Sequence, residues 1–314
     1  YKNLILSNFQ FVDSVSVWGG EDNDPPIYGQ SFITIKPKET ELNGEYLTEG
    51  TKSSILNFLK KKKVLSIIPE IVDPIYINIV LDVLFKYNPN NLSGSSSELA
   101  NSIRESVIKV FNDENLNSFD TIFRHSQFQR LVDNYNRSII NSLVRVFVKQ
   151  SFTLRMIDIG NSLANNFRNT FLEFGVPLEI DDDIALIEVT TGNTRWTEGG
   201  KLISIADEKT SDPNLRNLYT YINEEDGSKT RLREVGYLNL EQGALELFGN
   251  TLISDESEIT ISFIAIPKSN DIVGARNLLL NIDVESCNIT PEADAIAAGG
   301  TSRSVDYKPF SRDR

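Results

Sequence analysis

Six apolar residues at every second position, Ile75, Ile77, Ile79, Leu81, Val83 and Phe85, constrain the fold of this chain more than any other feature. A period of two sends all six side chains to one face of a β-strand. Between them stand Tyr76, Asn78, Val80, Asp82, Leu84 and Lys86, a mixed face. The strand therefore belongs to a sheet buried mainly on one side. Asn88-Pro89-Asn90-Asn91 ends it.

Helical patterns follow. Ser95 with Glu98 three residues later has the form of a capping box, and Leu99, Ile103, Val107, Val110 and Phe111 then mark one helical face. A second helix is predicted over about 119–136, with Phe128, Leu131, Val132 and Tyr135 inward. Val144, Val146 and Val148 start another strand. Upstream, Val15, Val17, Phe32, Ile33 and Ile35 read as short strands around a turn-rich loop from Gly19 to Pro26. A helix capped by Thr51 or Ser53 carries Ile55, Leu56 and Leu59 towards Lys60–Lys63. The order strand, helix, strand, helix, helix, strand predicts a mixed α/β domain over residues 1–155.

The second half changes character. A short helix is predicted over 161–174, around Leu163, Phe167 and Phe171. Strand signals then recur at 184–189, 202–205, 218–222, 246–248 and 259–266. Turn clusters such as Thr191-Gly192-Asn193 and Glu224-Glu225-Asp226-Gly227 separate them. The expected architecture is α+β: the mixed domain, a predominantly β domain over 156–285, and an extended C-terminal arm over 286–314.

The 31 basic against 44 acidic residues give a net charge of −13, which argues against a nucleic-acid groove or an anionic membrane surface as partner. One cysteine, Cys287, supplies neither an internal disulfide nor a thiolate cluster, and one histidine, His125, excludes any site needing two imidazoles. No apolar run approaches the roughly 20 residues of a membrane helix, and no signal-peptide pattern opens the chain. It begins at Tyr1-Lys2-Asn3 and holds one methionine, as expected of a fragment of a longer protein.

No catalytic, cofactor or metal constellation emerges. Asp181-Asp182-Asp183 has the carboxylates that calcium or magnesium favours, but lacks a spaced ligand loop and reads as a solvated turn. His125 has no nucleophile elbow to serve and is expected as a surface or capping residue. Cys287 is expected to pack as a small hydrophobe. The Gly pairs at 19–20, 199–200 and 299–300 lack phosphate-loop spacing, and Lys60–Lys63 reads as a solvated helix end. Asn136-Arg137-Ser138 and Asn288-Ile289-Thr290 fit the glycan acceptor pattern by chance. Trp18 and Trp196 flank Gly-rich acidic loops, where either a partner anchor or core packing fits. A cell-wall glycosidase with two facing carboxylates, and a receptor- or carbohydrate-binding module, stand as alternatives.

Two strings carry a resemblance. One runs from Val15-Ser16-Val17-Trp18-Gly19-Gly20-Glu21-Asp22 through Pro25-Pro26-Ile27-Tyr28-Gly29 into Phe32-Ile33-Thr34-Ile35-Lys36-Pro37. The other is Val64-Leu65-Ser66-Ile67-Ile68-Pro69-Glu70-Ile71-Val72-Asp73-Pro74-Ile75-Tyr76-Ile77. Together they resemble the gene-six baseplate wedge family of T-even bacteriophages, within the wider baseplate J-like group, and specifically its C-terminal half. The resemblance extends to about residue 155. It implies a non-enzymatic late structural protein of the virion, in the inner wedge ring around the hub of a contractile tail. It further implies self-association as ring dimers, with the gene seven, gene fifty-three and gene twenty-five products as neighbours. Tail assembly in the host cytoplasm and the contraction-linked baseplate rearrangement would be its tasks, with no cofactor, nucleic acid or membrane involved. Trp18, Glu21, Asp22 and Tyr28 in the first loop, and Tyr307 and Phe310 in the arm, are the candidate interface residues.

Overall fold

The computed structural model describes residues 1–23, 25–38, 46–62, 67–158, 163–165, 168–191, 196–224 and 228–294. Asp24, Lys63 to Ser66, Phe167, Gly192, Asn193, Glu225 to Gly227 and residues 295–314, with Tyr307 and Phe310, lie outside the described residues.

The chain opens with helix α1 (Lys2–Asn8), strands β1 (Val12–Gly19) and β2 (Gln30–Pro37), helix α2 (Glu49–Lys60) and strand β3 (Ile68–Val72). β1 pairs antiparallel with β2, and β2 parallel with β3. Ile5 of α1 and Ile55 and Leu59 of α2 meet Val12, Val15, Ile33 and Ile35 in a small core. α1 lies outside the elements expected from the sequence; its one buried residue is Ile5, with Tyr1 and Phe9, four positions before and after it, packed against the same core. α2 starts earlier than the expected Thr51 or Ser53 caps. Its N-cap is Thr48, whose hydroxyl accepts from the Thr51 amide at 3.3 Å.

Strand β4 (Ile75–Tyr87) is the alternating segment, and Ile77, Ile79, Leu81, Val83 and Phe85 are all fully buried. Helix α3 (Ser96–Ile103) runs through a π-helical turn, Arg104–Lys109, into α4 (Val110–Asn115). The capping box is present, with Ser95 and Glu98 each accepting from the other's backbone N–H. Strand β5 (Thr121–Phe123), helix α5 (His125–Tyr135) and strand β6 (Ile139–Arg155) follow. The expected helix over 119–136 thus loses its first turns. Asp120 turns left-handed at φ 63°, and residues 121–123 are instead taken into a sheet.

Thereafter strands dominate: β7 (Ile157–Asp158), β8 (Leu163–Ala164), β9 (Thr170–Glu173), β10 (Leu178–Glu179), β11 (Leu186–Thr191), β12 (Thr197–Glu198) and β13 (Lys201–Lys209). β14 (Leu215–Asn223), β15 (Lys229–Asn239), β16 (Ala244–Leu247), β17 (Ile253–Ser254), β18 (Glu258–Pro267), β19 (Ile272–Gly274), β20 (Leu278–Ile282) and β21 (Asn288–Ala293) complete the chain. The helix expected over 161–174 is corrected to β8 and β9. Asn165 donates its amide to Phe248 O at 2.9 Å and accepts from Leu252 N at 3.0 Å. A side chain that bonds distant backbone in this way competes with local helix formation.

The central sheet has the order β10/β11, β18, β6, β4, β20/β21. β20 and β21 both run parallel to β4, and the other pairings are antiparallel. The mixed α+β content with a β-rich later region agrees with the expected class. β6, which ends at the expected boundary near 155, takes β18 from the second half as its neighbour. The stretch expected as an arm from residue 286 begins with β21, paired along β4. The second sheet is antiparallel throughout, in the order β12, β13, β14, β15, β16, β9. One continuous core joins both sheets and α3 to α5. Within it Phe111, Phe123 and Phe128 form an aromatic cluster, with ring centroids 5.4 to 5.9 Å apart.

Candidate protein interface

β1 ends where β2 and β3 begin, so three chain segments converge at one end of the small sheet. The connection from β1 to β2 is tightly held. Ile27 N and Asn23 N both donate to Gly20 O, at 2.8 and 3.2 Å. A Cβ at Gly20 would lie 1.9 Å from Ile27 O, so only glycine fits there. The Trp18 indole N–H donates to Asn23 Oδ1 at 2.9 Å, and its ring stacks on Phe32 with centroids 5.8 Å apart. Ile68 N donates to Gly29 O at 3.0 Å, fastening the start of β3 beside the loop.

The outcome for the candidate residues is uneven. Trp18 is half-buried and works inward, as the clamp of its own loop. Tyr28 projects, 80% exposed, and Glu21 and Asp22 are exposed beside it. Ile27, Ile67 and Ile68 are also exposed, Ile68 at 56%. Sequence reasoning missed Ile67 and Ile68. The parallel pairing of β3 with β2 places Ile68 beside Gly29 and Gln30, next to Tyr28 in the chain, which no local pattern announces.

The remaining candidates have structural work. His125 Nε2 lies 2.8 Å from Val144 O, and its backbone N–H donates to Asp271. Arg124 and that N–H hold the Asp271 carboxyl below its ordinary range. Asp182 and Asp183 occupy left-handed turn positions at φ 44° and 71°. The Asp183 carboxylate pairs with Lys209, and its carbonyl accepts from Arg216. Trp196 is core, donating to Ile253 O at 2.7 Å. Gly200 N and Gly199 N each donate to Asp255 at 2.9 Å, which lowers that carboxyl's pKa. Burial pushes the Cys287 thiol up to about 11. Among the described residues, no group of His, Cys, Asp and Glu is placed to hold a metal ion, and no helix is long and apolar enough to cross a membrane.

Residues 1–72 match the family described as baseplate structural protein gp6, C-terminal domain I, and residues 74–150 match baseplate structural protein gp6, C-terminal domain III. No curated protein matches the chain.

Proposed function

We propose, from the premise that this chain is a baseplate structural protein carrying C-terminal domains I and III of the gp6 family, that it serves as a wedge subunit in the inner ring of a contractile tail. The observation that carries this is the consecutive match of two named baseplate domains over residues 1–150. The proposal extends to self-association in the ring and to contacts with the gene seven, gene fifty-three and gene twenty-five products. It includes a part in tail assembly and in the rearrangement that accompanies contraction. The role is structural and needs no catalytic group or cofactor.

Exposed Tyr28, Ile27 and Ile68 are the proposed apolar contacts with a neighbour, and exposed Glu21 and Asp22 the proposed polar ones. The arm bearing Tyr307 and Phe310 is the second proposed contact. Native mass measurement of the chain mixed with these wedge partners tests the function. A stable hetero-complex is expected, and a chain that stays monomeric and unbound overturns the proposal. Tyr28→Ala combined with Ile68→Ser is expected to weaken that complex at least about tenfold. The melting temperature should hardly change, because both side chains face solvent. An unaltered complex would remove both residues from the interface.

A further inference from the structure

The second sheet ends at β9, which pairs with β16 on one side and with no strand on the other among the described residues. Phe171, Leu172 and Glu173 are consecutive residues of β9, and all three line a cleft of about 680 Å³. Side chains alternate along a strand, so three neighbours in a row mean that the backbone edge itself borders the cleft. Phe171 is 70% exposed there. A bare edge carrying a large apolar residue is what folded proteins usually cover or blunt.

Across the cleft stand Tyr46 and Tyr76, in edge-to-face contact at 5.8 Å, with the start of β4 and the turn after β20. The charged residues lining it are all acidic: Glu173, Asp283 and Glu285. Lys149 Nζ already pairs with Asp283 at 2.8 Å, whereas no lysine or arginine pairs with Glu173 or Glu285 among the described residues.

We propose that this cleft takes an extended, arginine- or lysine-bearing segment of a partner protein, added as a further strand to the free edge of β9. Backbone pairing with β9 supplies the attachment. Glu173 and Glu285 supply charge complementarity, and the exposed Phe171 ring accepts a guanidinium or ammonium group. A glycan would use the rings but neither the strand edge nor the single sign of charge. This surface is separate from the loop at Tyr28 and does not depend on the wedge assignment.

The probe is a short, capped synthetic peptide alternating arginine and valine, titrated into the full 314-residue chain by fluorescence anisotropy. Binding is expected, weakening as salt rises. The same peptide with glutamate for arginine, or with N-methylated backbone amides, should not bind. Phe171→Ser and Glu173→Lys are solvent-facing changes, and circular dichroism confirms that each variant folds. Each is expected to weaken binding roughly tenfold, whereas Tyr28→Ala leaves it unchanged. Equal binding of the two charge versions, indifference to N-methylation, or indifference to both cleft variants overturns the proposal. So does oligosaccharide binding that depends on Phe171 while the arginine peptide fails to bind. Failure here with an intact wedge complex leaves the wedge assignment standing, and the reverse result separates them equally.

Discussion

Arg216 holds a buried ion pair in the second sheet. Its side chain is almost wholly buried against Asp207, with Nε donating at 2.9 Å. Asp207 also accepts the amides of Ala185 and Leu186, at 2.9 and 3.0 Å. The pair thereby fastens the turn before β11 to β13 and β14. Removing one partner strands a buried charge, so Arg216→Leu is expected to cost about 3–5 kcal/mol, read from the urea midpoint. Asp283 has a pH signature instead. Burial by itself would raise its pKa, but Lys149 and Ser286 outweigh that and hold it below the ordinary range. Its stabilisation is therefore full above the unfolded value of about 3.9 and is lost as pH falls through the lower folded value. The stability gap between the parent chain and Asp283→Asn should narrow over that acid range. A gap that stays constant would contradict the ion pair. Cys287 is protonated and enclosed, so alkylating reagents at pH 8 should modify it only after denaturation, as mass spectrometry would show.

At the scale of elements, helix starts divide into two kinds. α3 is capped by its own neighbours, Ser95 and Glu98, and that signal is legible in the sequence because it spans three residues. Ser95→Ala is expected to cost about 1 kcal/mol, measurable as a shift in thermal midpoint. α5 has no side-chain cap from its own N-cap residue, Arg124. Asp271, 146 residues away, accepts the His125 amide at 2.9 Å instead. No local pattern encodes that, so the helix was expected too early. The junction of β20 and β21 makes the same point. The 3₁₀ turn Val284–Ser286 lifts the chain off β4, and Cys287 Sγ accepts the amide of Leu81 there at 3.3 Å. Arg104 donates to the carbonyls of Val284 and Cys287. A cysteine expected only to pack as a small hydrophobe also fills a missing rung of the ladder.

Across the whole molecule, the strand order ties distant parts of the chain together. β6 lies between β4 and β18, while β4 lies between β6 and the parallel pair β20 and β21. Residues 1–155 alone would leave both outer edges of the β4–β6 pair bare. That fragment is expected to be aggregated or unfolded by circular dichroism and size exclusion, whereas a folded monomer would count against the interleaved sheet. The small N-terminal sheet is tied to the rest by part-buried polar contacts. Lys36 Nζ, which pairs with Asp13 of the same sheet at 2.9 Å, also donates to Asn117 O at 2.8 Å, and Ser14 Oγ accepts from Phe119 N at 3.2 Å. By itself the sequence determined the buried face of β4, the capped start of α3, the strand-rich second half and the exposed loop carrying Tyr28. Each of these rests on spacing between residues within one or two turns or strands. Only the tertiary structure decided that β18 enters beside β6, that Ile68 bonds to Gly29 beside Tyr28, and that β9 is an edge strand among the described residues, over an acidic, aromatic cleft. Pairing between strands far apart in the chain depends on which surfaces bury each other, and hydrophobic burial carries no record of sequence separation.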